Sequence, residues 1–394
     1  MLTQLAELPV RQGPTISNRG VSAVFGVLLM CMTVNGVAKV LPEDRNDTLW
    51  HLYDGGGVTI QGPSVLVRQS YKDKVSVWAN YYVDMISGAS IDVQATASEY
   101  DGERTQTSAG IDYLYDKTIV GIGYTQSSEN DYEAETYNVS MSHDFFGDLT
   151  SVSLGFTYGS DMVMRSNDME FVDEAQHRSY RLEISQIMTP RIIVNLGAES
   201  VVDEGFLNNP YRSVRFLNPD SETGFSYQSE NYPRTRASDA FAIRAMMYLP
   251  YRAAIRGEYR VYSDSWGIEA DNVEISYTHP IGEMFEIDAR VRTYSQTGAD
   301  FYSDLFPFRD AQNFLARDKE MSTFDNLTVG LGFTYNFAQT GFLFFSKGSA
   351  HLKFDYVSFD YKDFRDPTQG MPLGEEPLYE LEAYVTRAFV SLWF

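Results

Sequence analysis

Leu378-Tyr-Glu-Leu-Glu-Ala-Tyr-Val-Thr-Arg-Ala-Phe-Val-Ser-Leu-Trp-Phe394 ends the chain. In an extended strand successive side chains point to opposite faces. Tyr384, Ala388, Val390, Leu392 and Phe394 therefore share one face, and Ala383, Val385, Arg387, Phe389, Ser391 and Trp393 share the other. An apolar outer face ending in an aromatic suits a strand that closes a β-barrel in lipid, where each unpaired backbone group would cost several kcal/mol. The last strand of a soluble sheet would alternate in the same way, so the rest of the chain has to decide.

Composition favours the membrane. The 394 residues include 27 Tyr, 25 Phe and 29 Gly, yet mean hydropathy is only -0.28. A barrel strand shows lipid only every second side chain, so a low average is expected of it. The single long apolar run, Val21 to Val34, is too short for a comfortable membrane helix. Arg11 and Arg19 precede it and Gly36-Val37-Ala38 follows, the layout of a signal peptide over residues 1–38 cleaved after Ala38. Met30 is too bulky to precede a lipidated Cys31. Cys31 is the only cysteine, so the mature chain is expected to carry neither disulfides nor thiolate metal sites. A net charge of -23 argues against a nucleic-acid partner.

From Lys74 onward the alternation recurs. Val152, Leu154, Phe156 and Tyr158 alternate with Ser and Gly. Leu327, Val329, Leu331, Phe333 and Tyr335 alternate with Thr, Gly and Asn. Strands are expected at Val75–Ser87, Thr105–Tyr115, Thr118–Gln126, Glu135–His143, Thr150–Ser160, His177–Met188 and Arg191–Val201. A second run covers Asp239–Tyr248, Ala253–Ser263, Asn272–Thr278, Phe285–Ser295, Phe324–Phe337, Ser349–Phe359 and Leu378–Phe394. Tight turns such as Asp116-Lys117 and Thr189-Pro190 alternate with long stretches at Ser90–Arg104, Asp161–Gln176, Val202–Ser238, Gln296–Thr323 and Asp360–Pro377. Barrels of the bacterial outer membrane place short turns in the periplasm and long loops outside.

The fold expected is all-β, a transmembrane antiparallel up-and-down barrel of about 14 strands over 75–394 with long extracellular loops. Residues 39–74 read as a periplasmic or lumenal segment. Counted as one more strand, Val58–Gln69 would put the N-terminus outside; sixteen strands result if a further strand lies near Asp47 to Gly55.

Several blocks carry a resemblance: Leu41-Pro42-Glu43-Asp44-Arg45, His51-Leu52-Tyr53-Asp54-Gly55-Gly56-Gly57-Val58, Gly62-Pro63-Ser64-Val65, Asn80-Tyr81-Tyr82-Val83-Asp84 and Asp144-Phe145-Phe146-Gly147-Asp148. The sequence resembles an uncharacterised family of Gram-negative outer-membrane proteins known only as a domain of unknown function. The resemblance spans essentially the whole mature chain. It implies a barrel in the cell outer membrane, in contact with outer-membrane lipid and inserted by the barrel-assembly machinery. Genes for a small lipoprotein and a flavin-attaching transferase often lie nearby, which implies a small lipoprotein as partner. It supplies no catalytic residues.

If the apolar set faces lipid, the other set lines the lumen. Between Ser108 and Gly159 that set is mostly Ser, Thr, Asn and Gly. Beyond it come Arg181, Glu183, Glu199, Arg244, Arg256, Glu258, Arg260, Glu274, Glu286, Asp288, Arg290, Arg292, Lys353, Asp355 and Arg387. Mixed signs on neighbouring strands either guide a polar solute or brace the wall as a salt-bridge lattice. Chemistry is poorly represented. Ser142 and His143 are adjacent and so face opposite ways, His51, His177, His279 and His351 lack metal-ligand spacing, and the acidic stretches Glu129–Glu135 and Asp168–Glu174 lack that of a calcium loop. Gly55-Gly56-Gly57 reads as a hinge. The function expected is a porin-like passive channel for small polar solutes, or the outer-membrane component of a small envelope system, with no cofactor. A closed partner-anchoring barrel is the alternative, and a membrane-embedded hydrolase comes third.

Overall fold

In the computed structural model, residues 39–88, 100–337, 341 and 344–394 are described. The expected signal peptide and most of the Ser90–Arg104 loop lie outside them.

The strands are β1 (Arg45–Gly55), β2 (Val58–Tyr71), β3 (Val75–Gly88), β4 (Tyr100–Tyr115), β5 (Thr118–Ser128), β6 (Tyr132–Phe145), β7 (Thr150–Arg165), β8 (Asp168–Thr189) and β9 (Ile192–Gly205). A small hairpin follows, β10 (Ser213–Leu217) and β11 (Phe225–Ser229). Then come β12 (Thr235–Tyr248), β13 (Ala254–Asp264), β14 (Glu269–Ile281), β15 (Phe285–Gln296), β16 (Phe324–Phe337), β17 (Lys347–Arg365) and β18 (Leu378–Trp393). All but β10 and β11 form one closed antiparallel barrel of sixteen strands, sealed where β1 pairs with β18. Closure leaves no edge to satisfy in lipid. Among the described residues no helix is long and apolar enough to cross a membrane, and the strands do the crossing.

Sixteen strands correct the 39–74 boundary. The barrel begins at Arg45, and of the described residues 39–44 precede it. The strand near Asp47 to Gly55 exists and restores parity, with the start of β1 and the end of β18 both at the short-turn end. Gly56 and Gly57 form its tight turn rather than a hinge, both at positive φ (61° and 80°), as a two-residue hairpin of this hand requires. β2 escaped the alternation reading because its apolar residues change face. Val58 and Ile60 are buried inside the barrel, whereas Val65 and Val67 are exposed outside. Pro63, which cannot donate to a ladder, sits at the change.

A second correction concerns Asp161–Gln176. It is not a loop; β7 and β8 run on beyond the apolar band and turn at Ser166-Asn167. Their outer face becomes polar there (Glu174, Gln176, Arg178), and the loss of apolar signal reads as a loop although pairing continues.

Outside, exposed apolar side chains such as Ile122, Val139, Leu196, Ile243, Ile275, Val291, Leu331 and Leu352 form the band, with Tyr71, Tyr115, Phe146 and Tyr251 exposed at the turn end. Aromatics at that level are the expected membrane-interface girdle. Inside, the buried core fills the loop-end half on one side. Tyr53, Ile60, Ile86, Phe324, Val357, Phe359, Tyr361, Phe364 and Leu381 pack together there. Tyr302, from the 297–323 loop, touches this cluster and a second one around Tyr232, Trp266 and Phe301. The loops are thus a folded cap.

Candidate functional site: the charged lumen wall

The structure places Arg181, Glu183, Glu199, Arg244, Arg256, Glu258, Arg260, Glu274, Glu286, Asp288, Arg290, Arg292, Lys353 and Asp355 on the lumen phase of their strands. Each alternates with outward neighbours such as Leu182, Ile243, Tyr259, Ile275, Val291 and Phe354. Tyr384, Ala388, Val390, Leu392 and Phe394 lie on the opposite, outer phase of the last strand.

Two groups of ion pairs result. On β14 to β18, Arg290 lies 2.9 Å from Asp355 and 3.8 Å from Glu274, and Arg387 pairs with the other Asp355 oxygen. Arg290 and Asp355 sit on strands that flank β16, so they meet across Gly330, where a Cβ would overlap both side chains. On β8 to β13, Arg181 holds Glu199 at 2.7 Å, Arg260 approaches Glu199 at 3.6 Å, and Arg244 pairs with Glu258 and approaches Glu183 at 3.8 Å. Not every charge is used. Asp288 accepts a bond from Thr278 at 2.6 Å and Arg292 lies over the Tyr294 ring. Among the described residues Arg256, Glu286 and Lys353 make no salt bridge or hydrogen bond. All three line a cavity of about 440 Å³ in the turn-end half, together with Glu274, Arg290 and Arg387.

The lattice also recruits residues that alternation did not single out. His51 Nε2 lies 2.7 Å from Asp84, which is fully buried, and stacks on Tyr82; Arg104 approaches the far Asp84 oxygen at 3.7 Å. His51 is therefore a barrel residue and not a contact ahead of the barrel. Gly62 is its register partner on β2, and a Cβ there would overlap the Val83 carbonyl. His177 sits between Asp161 and Asp203, 2.8 Å from each. The available signal, for Asp84 and Asp161, was a single acid at the lumen phase of an otherwise neutral set of residues.

Ser142 and His143 do point apart. Ser142 accepts from Lys39 at 2.6 Å, and His143 meets Thr118 at 2.7 Å. A hydroxyl pairing exists elsewhere, at the turn end: His351 contacts Ser349 at 2.7 Å and Thr334 at 2.9 Å while stacking on Phe389. Both ring nitrogens are occupied by hydroxyls, with no carboxylate to orient the imidazole as a base would need. Among the described residues no cluster of His, Cys, Asp or Glu is arranged to hold a metal.

The cap has its own ion cluster. Arg215, fully buried, bonds Asp304 and Glu376, and Arg317 bonds Asp304 at 2.8 Å, so three loops are joined. Burial, the largest influence on Glu376, pushes its carboxyl up, but hydrogen bonds from Arg215 and backbone N–H groups outweigh it and hold Glu376 below the ordinary carboxylate range.

A closed up-and-down barrel with an apolar outer band, an aromatic girdle and a charged lumen is an outer-membrane β-barrel. The chain belongs to the family described as "Protein of unknown function (DUF3570)", which matches residues 93–357. No curated protein matches it. Among solved structures it is similar to a bacterial polysaccharide outer membrane secretin (8% identity, 90% of this chain and 100% of that one, TM-score 0.48). It is also similar to the siderophore receptor PirA from Pseudomonas aeruginosa (10% identity, 89% and 81%, TM-score 0.43) and to the trimer form of OmpT from Vibrio cholerae (10% identity, 88% and 99%, TM-score 0.41).

Proposed function

We propose that the protein is a conduit for small polar solutes in the outer membrane of a Gram-negative bacterium, with its turns in the periplasm, its loops outside and its resting conductance limited by the cap. One observation carries this reading. A lattice that only braced the wall would pair its charges, whereas Arg256, Glu286 and Lys353 stand without a salt bridge around a cavity. Charges kept solvated in a lumen attract and sort ions. In a planar bilayer the protein should show small openings, and Arg256→Glu should shift ion selectivity toward cations while leaving the melting temperature unchanged. Arg290→Glu, which breaks two ion pairs, should lower the melting temperature instead. Absence of conductance, both in the intact protein and after 299–316 is replaced by a short Gly-Ser linker, would refute the conduit. That result would favour the second reading, a closed barrel that anchors a partner such as a small lipoprotein, which the apolar packing inside the loop-end half supports.

A further inference from the structure

The wall is not uniformly sewn. Among the described residues every other barrel seam carries at least ten ladder pairs; β9 and β12 share three, Val202–Glu204 against Ala237–Thr235. Two further backbone bonds cross it: Gly205 N–H to the Arg234 carbonyl continues the tie at the loop end, and Tyr248 N–H to the Arg191 carbonyl ties the turn end. Between the ties the strands run side by side, with Gly197 opposite Ala242. On the outer surface this stretch is a groove of about 350 Å³ walled by Leu182, Leu196, Phe241, Ile243 and Tyr259. Its floor includes Gly197 and Ala242, two residues of the lumen phase, so only small groups separate lipid from lumen there.

Behind that floor stand charges. Glu183 is the register partner of Gly197, and Arg260 that of Ala242. Two ion pairs cross the seam at mid-wall, Arg260–Glu199 at 3.6 Å and Arg244–Glu183 at 3.8 Å, both beyond hydrogen-bond reach; a third, Arg234–Asp173, ties the loop end at 2.7 Å, and Arg181–Glu199, which stays on one side, is also 2.7 Å. Arg260 is 5% exposed, and neither of its terminal nitrogens has a hydrogen-bond partner. A buried guanidinium with unused donors is costly unless an anion satisfies it.

We propose that the β9–β12 seam is a lateral portal for an acyl-chain amphiphile with an anionic headgroup, the chain lying in the outer groove and the headgroup bonding Arg260 on the lumen side. Opening the stretch between the end ties requires parting two long ion pairs and no ladder pair. The headgroup then takes the place of Glu199 at Arg260. Fatty acids and anionic phospholipids share this chemistry.

The test uses the full-length protein with Cys31, its only cysteine, replaced by Ser, and p-benzoylphenylalanine in place of the lumen-facing Met246. It is placed in vesicles of phosphatidylethanolamine and phosphatidylglycerol. Gly197→Cys with Ala242→Cys locks the seam: an ideal Cβ at 197 lies 3.9 Å from that of Ala242, within disulfide range. Asn138→Cys with Thr157→Cys locks the fully laddered β6–β7 seam as control. Heat-modifiable migration verifies folding of each variant. Irradiation should attach labelled palmitate or labelled phosphatidylglycerol to position 246 when the seam is reduced. The adduct should fall at least fivefold on oxidation of the 197–242 pair and stay constant on oxidation of the control. Arg260→Gln should reduce palmitate adducts at least threefold and leave hexadecanol adducts unchanged. The lipid arm that labels identifies the source, free fatty acid or membrane phospholipid. Equal adducts with the seam locked, no adduct with either lipid in folded protein, or indifference of palmitate labelling to Arg260→Gln would each overturn the portal.

Discussion

Two seams of the same barrel are built differently. Where the chain ends meet, β1 and β18 share an unbroken register from Arg45–Trp393 to Gly55–Ala383, backed inside by Tyr53, Leu381 and Ala383. Where β9 meets β12, after the longest excursion of the chain into the cap, three ladder pairs, a backbone tie at each end, two long ion pairs and the Arg234–Asp173 pair at the loop end do the work. The contrast shows that closure of a barrel and cohesion of its wall are separate problems. All four strands are fully laddered to their far-side neighbours, β1 to β2, β18 to β17, β9 to β8 and β12 to β13, so the wall holds together even where one ladder is short.

The harshest way to break the comparison is a charge on the lipid face of the closing seam. Ala388→Arg, opposite Trp50 near mid-strand, should cost about 2–4 kcal/mol and abolish heat-modifiable migration, whereas Leu392→Asp, close to the turn end, should cost at most about 1 kcal/mol and insert normally. Next in size is Asp355→Ala, which takes from Arg387 its ion-pair partner and leaves Arg290 only Glu274 at 3.8 Å. Loss of a buried partner costs about 3–5 kcal/mol, but both arginines keep about a third of their exposure, so a loss of about 2 kcal/mol is expected in a urea or thermal melt. A smaller effect sharpens the comparison without a mutation. By hydrogen exchange in detergent, amides of 239–247 on β12 should exchange about tenfold faster than those of 47–53 on β1, the difference expected where few ladder bonds must break; equal rates would mean that the two seams are equally firm.

The smallest effect separates the cap from the wall. Glu376 has a folded pKa held below its ordinary value near 4.5, so its bond to Arg215 contributes fully at and above that value. The contribution is lost only as pH falls through the lower folded pKa. Limited proteolysis of the 366–377 loop should therefore accelerate only once the pH has fallen below the ordinary carboxylate value, and Glu376→Gln should be cleaved quickly at every pH.

Alternation along the chain was sufficient to assign the barrel, its outer face and the lumen phase of residues from Arg181 to Asp355, because a strand in lipid must sort side chains every second position whatever its neighbours are. The same rule hid β2, where apolar residues serve the lumen core at Ile60 and the lipid at Val65, and it hid the extended β7 and β8, where no lipid remains to be faced. Which charges pair was beyond the reach of sequence. Arg290 reaches Asp355 only because β15 and β17 flank Gly330, and Arg256 stays unpaired because Met246 and Ser276 are its register partners. The cap was equally illegible, since Arg215, Asp304 and Glu376 come together from loops far apart in the chain. Periodicity is a local property, and whatever depends on it can be read along the chain. Register, closure and the joining of loops are set by contacts between residues distant in sequence, so they emerge only in the folded barrel.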